Sequence, residues 1–94
     1  MEPESRPNKR DQVLARQTSG GLVVLDPKSG HYYSLDEVGA RIWELSDGTR
    51  TVSEIVATLC REYDALAATV EEDALELLGE LADEELVRDE VAVS

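Results

Sequence analysis

The residues able to do covalent or metal chemistry in this chain are few and scattered. His31 and Cys60 are the single histidine and the single cysteine among 94 residues. Metal centres and hydrolytic triads draw on several such groups held in one arrangement, so no metal, cofactor or catalytic role is expected. His31 reads as a surface strand residue. Cys60 falls on the apolar stripe of a helical pattern, where a lone cysteine behaves as a small hydrophobe rather than a nucleophile. Carboxylates abound, with 21 Asp and Glu, but acids lined along one solvated helix are not a pair tuned apart for acid–base work. Gly20-Gly21 is followed by neither a GxGxxG nor a Walker pattern and reads as a turn.

What the residues do offer is recognition chemistry, concentrated between Gly30 and Leu45. Two of the three tyrosines and the only tryptophan lie there. The run His31-Tyr32-Tyr33-Ser34-Leu35 reads as a strand at the edge of a sheet, and an edge presents backbone N–H and C=O groups with which an extended peptide can pair. Period-two alternation places His31, Tyr33 and Leu35 on one face and Tyr32 with Ser34 on the other. Tyr33 and Leu35 are then core residues, and Tyr32 is the contact candidate. A second element supplies a wall: the last helical pattern carries Asp73, Glu76, Glu80 and Glu84 beside an apolar stripe too wide for one buried face, with Leu77 and Leu81 on one side and Leu75 and Ala82 on the other. The expectation is a groove in which apolar side chains of a guest peptide enter between Tyr32 and the Leu77/Leu81 side. Its acidic rim calls for at least one Lys or Arg in the guest. The bland alternative for these acids is a solvated face that keeps the domain soluble.

The elements that must position these groups follow from punctuation and period. Residues 1–11 hold two prolines and no periodicity, which predicts a disordered tail before a domain spanning residues 12–90. Extended runs are expected at Val13–Gln17, Leu22–Asp26 and His31–Leu35, separated by Ser19-Gly20-Gly21 and Pro27-Lys28-Ser29-Gly30. Tight turns make neighbours antiparallel, giving a meander with the second run central and the third at an edge. Three capping-box patterns, Ser34-x-x-Glu37, Thr51-x-x-Glu54 and Thr69-x-x-Glu72, predict helices over Asp36–Leu45, Val52–Tyr63 and Val70–Glu84. Leu86 and Val87 suggest a short extended end. The fold class is α+β, a winged helix-turn-helix-like arrangement of a three-stranded antiparallel sheet followed by three helices.

Four segments, "GLVVLD", "GHYYSLDEVGARIWEL", "DGTRTVSEIVATLCREYD" and a last acidic helix ending at "LV", make residues 13–88 resemble the small PQQ-biosynthesis D proteins (PqqD-like), the recognition elements for ribosomally made and modified peptides. The resemblance implies a winged-helix-like domain without catalysis that binds the leader of a precursor peptide beside its third strand and against its third helix. It also implies delivery to a separate maturation enzyme, either a radical SAM enzyme, as in PQQ synthesis, or a lasso-peptide leader peptidase and cyclase.

Composition narrows the alternatives. A single chain of this length makes one domain that buries about 60% of its unfolded surface, little from which to enclose an active-site pocket. The net charge is −12, and residues 71–94 carry −9 of it. A winged-helix DNA reader would show basic residues on its second or third helix; here the second has only Arg61 and the third has none before Arg88. The same charge disfavours anionic membranes. No run of apolar residues is long enough for a signal peptide or a membrane span, and one unpaired thiol fits a reducing compartment, so the expected location is the cytoplasm. Two further readings stay open: a small scaffold subunit of a larger enzyme, and a homodimer formed by pairing two copies of the third-strand edge.

Overall fold

The computed structural model describes residues 1–90. Its elements are β1 (Pro7–Lys9), β2 (Leu14–Thr18), β3 (Gly21–Leu25), β4 (Tyr32–Asp36), α1 (Glu37–Leu45), α2 (Val52–Tyr63), α3 (Ala67–Asp83) and β5 (Val87–Asp89). The three expected strands form an antiparallel meander in the order β2-β3-β4, with β3 central and β4 at one edge. Leu22, Val24 and Leu35 turn one face of this sheet onto the helices, where they join Ile42, Trp43, Ile55, Leu59, Leu78 and Leu81 in a single buried cluster. The β3–β4 pairing is tight at Gly21: a Cβ there would sit 1.8 Å from the Leu35 carbonyl oxygen, so only glycine fits.

Of the three expected capping boxes, the one opening α2 forms as read: the Thr51 side chain accepts from Glu54 N–H, and the Glu54 carboxylate accepts from Thr51 N–H. The other two do not form. Ser34 remains in β4, paired with Val23, and α1 starts directly after the strand, so the cap passes to Asp36, whose carboxylate accepts from Gly39 N–H at 2.8 Å. The third helix begins at Ala67 rather than Val70, with Leu66 at its N-cap and no side-chain cap. Asp64, at φ 50°, reverses the chain at the end of α2, and this turn fixes where α3 starts; Thr69 is already inside the helix.

The N-terminal segment differs from the expected disordered tail. β1 pairs antiparallel with β5, Asn8 opposite Arg88, and Ser5 and Pro7 are buried. The physical reason lies in the helix ends. The first N–H groups of a helix have no partner within it, and here Val52 N–H donates to the Ser5 carbonyl at 2.8 Å while Ser53 N–H donates to that of Pro3 at 2.9 Å. At the opposite pole of the preceding helix, the Lys9 ammonium donates to the Ser46 carbonyl at 3.0 Å and lies 5.8 Å from the centre of the Trp43 ring. Residues 1–9 are thus ordered by the backbone groups that α1 and α2 leave unpaired.

Candidate peptide-binding groove

Since α1 follows β4 with no intervening loop, its first turn lies alongside the strand, and Val38 and Ile42 extend the apolar surface begun by Leu35. α3 runs antiparallel to β4 across a gap, as two side-chain bridges show: the Tyr33 hydroxyl donates to Glu80 Oε1 at 2.8 Å, and His31 Nδ1 lies 3.2 Å from Glu84 Oε2. Toward the β4–α1 corner the gap opens into a cavity of about 450 Å3. Leu35, Val38, Ile42 and Leu77 give it an apolar floor, Tyr33 closes one end, and Asp73 stands on the helix side.

The Asp26 N–H donates to the His31 carbonyl at 2.8 Å, which sets the parity of the β3–β4 ladder. Backbone groups of Tyr33 and Leu35 face β3, opposite Val24 and Leu22; those of Tyr32 and Ser34 face the open edge. The sheet ends at β4, so among the described residues these N–H and C=O groups have no strand partner. Side chains alternate the other way, so residues whose backbones can pair with a guest are those whose side chains point away from the groove.

This geometry sorts the expected site residues. Tyr33, Ser34, Leu35, Asp73 and Leu77 line the cavity, and His31, Glu80 and Glu84 bridge its far end. Two expectations are corrected. Tyr32, 69% exposed, lies on the opposite face of the sheet from Tyr33, so it cannot face α3; it forms an apolar row on the outer face, in register with the half-buried Leu25 and the exposed Leu14. Leu81 is wholly buried, because the chain returns after α3: Leu86 N–H donates to the Leu81 carbonyl at 2.9 Å, and Leu86 and Val87 are buried in the same core. Val38 and Ile42 also line the groove, although the sequence marked neither as a contact residue. The signal that could have found them is the direct passage from strand into helix at Asp36.

The groove is electrostatically one-sided. The hydrogen bond to Glu80 holds the Tyr33 phenol above its ordinary pKa, and partial burial and the nearby charges of Glu80, Glu76 and Glu84 push in the same direction. Three glutamates one helical turn apart therefore act on a single hydroxyl. Among the described residues no group of three His, Cys, Asp or Glu side chains could hold a metal ion. Nor is any helix among them long and apolar enough to cross a membrane.

Residues 21–87 match the family model of coenzyme PQQ synthesis protein D (PqqD). A PqqA binding protein of Xanthomonas oryzae pv. oryzae is 39% identical over 87 residues, covering 90% of this chain and 92% of its own length. Among solved structures, TbiB1 in complex with the TbiA(beta) leader peptide superposes with a TM-score of 0.76 at 36% identity, over 86% of this chain and 94% of that one. The PqqD truncation of Methylobacterium extorquens PqqCD, described as a stand-alone recognition element for ribosomally synthesised and post-translationally modified peptides, gives a TM-score of 0.74 at 30% identity over 94% and 99%.

Proposed function

Because the chain belongs to the family of coenzyme PQQ synthesis protein D, we propose that it binds the leader segment of a ribosomally synthesised precursor peptide in the β4–α3 groove. It then delivers that precursor to a separate maturation enzyme, a radical SAM enzyme or a lasso-peptide leader peptidase and cyclase. The observation that carries this reading is the coincidence of an open strand edge at Tyr32 and Ser34 with an apolar cavity on the inward side of the same strand. A leader added beside β4 would gain backbone hydrogen bonds along the edge, and its alternate side chains would drop onto Leu35, Val38, Ile42 and Leu77. Each well-buried apolar anchor contributes about 1.5–3 kcal/mol against about 2–5 kcal/mol for ordering the peptide, so two or three anchors are needed. The protein's role is non-catalytic and cytoplasmic in this reading: it raises the local concentration of substrate at the enzyme.

The test is a titration of the protein with a synthetic leader encoded in a neighbouring precursor gene, followed by amide chemical shifts. Micromolar or tighter binding is expected, with the largest shifts at Tyr32, Ser34, Val38, Asp73 and Leu77. Shifts centred instead on β2 or on α2 would overturn the placement, and no binding to any neighbouring leader would overturn the function.

A further inference from the structure

The two bridges across the groove are in register with one another. Successive residues on one face of a strand lie about 6.7 Å apart, and residues four apart on a helix are separated by about 6 Å. His31 and Tyr33 therefore match Glu84 and Glu80 pairwise. One step further along, Leu35 matches the stretch of α3 that holds Leu77 in the cavity wall. A strand added beside β4 would share this step, so its inward side chains would meet Glu84, Glu80 and the apolar cavity in turn. Entry of such a strand also fills the gap that the bridges span. The His31–Glu84 contact joins side chains that are 51% and 44% exposed, so it is weak and easily exchanged.

We infer that the groove reads a pattern of three alternate positions in the bound segment: two basic side chains that take over Glu84 and Glu80 from His31 and Tyr33, and an apolar side chain in the cavity nearer the β4–α1 corner. This rests on the leader-binding reading and adds the chemistry and spacing of what is bound. The rim alone would attract any cation. The register between strand and helix is what turns attraction into a spacing rule, because a basic residue moved by one position would point to the outer face, away from both glutamates.

The probe is the same synthetic leader, compared with versions whose inward basic residues are replaced by norleucine or shifted by one position at constant composition. Each replacement is expected to weaken binding about two- to fivefold, the range of exposed charge pairs, and the shifted peptide should behave like the replaced one. Glu80→Lys/Glu84→Lys should invert the preference, favouring a leader with glutamates at those positions; a merely structural role for Glu80 and Glu84 would weaken every peptide alike. Circular dichroism of this exposed pair of substitutions checks that the fold persists, and Glu80→Gln/Glu84→Gln gives a milder second variant in which the shifted and native leaders should bind equally. If the native leader binds and shifting its basic residues changes nothing, or if it carries none at those positions, the spacing rule fails while the leader-binding reading stands. If no leader binds, both fall.

Discussion

The sheet has two edges, and they are not alike. At β4 the open backbone runs beside α3, with an apolar floor below and carboxylates opposite. At β2 all five residues are exposed, and the helix beside its C-terminal end, α1, presents the charged side chains of Glu37, Arg41 and Glu44 in place of an apolar floor. The parity is known on this side too: the two-residue Ser19-Gly20 turn makes Thr18 and Gly21 a hydrogen-bonded pair, so the open groups belong to Ala15 and Gln17. The two edges offer a guest the same main-chain hydrogen bonds. They differ in what its side chains would meet, and the proposed placement of the leader at β4 rests on that difference. An open strand edge is an aggregation liability, and the polar residues Arg16, Gln17 and Thr18 blunt it at β2.

The largest effect that tests this contrast comes from charging the groove floor. Val38→Glu should weaken leader binding about tenfold or more, the worth of one lost apolar anchor, whereas Gln17→Glu at the other edge should leave the affinity, read by calorimetry, within about twofold. A smaller effect comes from the backbone itself. Ser34→Pro removes an N–H that faces the open edge rather than β3, and loss of one hydrogen bond should cost about 1 kcal/mol of binding; Ala15→Pro is the matched change on β2 and should cost none. Equal losses from the two prolines would mean that the edges are interchangeable and that the wall contributes nothing.

The smallest effect is spectroscopic. Tyr33 is held in its neutral form by Glu80, so its folded pKa stands above the unfolded value of 10.0. A group shifted in this direction contributes stability that is fully present below pH 10 and is lost as pH rises through the folded pKa. Ultraviolet titration should therefore show Tyr33 ionising later in the wild type than in Glu80→Gln, with Tyr33→Phe identifying the step. A bound leader that takes Glu80 away from Tyr33 should bring that titration down toward its ordinary position.

Much of this architecture was legible because the relevant signals are local. α2 begins and ends where its capping box and apolar repeat place it, at Val52 and Tyr63, and β4 sits at the edge because tight turns leave the meander no other order. The alternation of β4 even contained the correction to Tyr32: it set Tyr32 opposite Tyr33 from the start, and a groove facing α3 must lie on the Tyr33 side. What was not legible depends on partners far apart in the chain. β1 has no pattern of its own and exists because β5 pairs with its backbone, while the carbonyls of Pro3 and Ser5 and the Lys9 ammonium meet the ends of α2 and α1. Leu81 is buried by residues that follow the helix, which a helical wheel does not see. The cap of α1 fell to Asp36 because strand and helix share a corner, and only the sheet register shows where that strand stops.

Trp43 is the single indole of the chain, and it is buried outside the groove, under the ammonium of Lys9 at 5.8 Å. A cation held over a ring at this distance interacts with its π-system. The protein thus carries a built-in optical gauge of whether its first strand is docked. Indole emission should stay nearly constant as a leader fills the groove and change when β1 peels away from β5, so one cuvette can separate loss of the fold from loss of the guest.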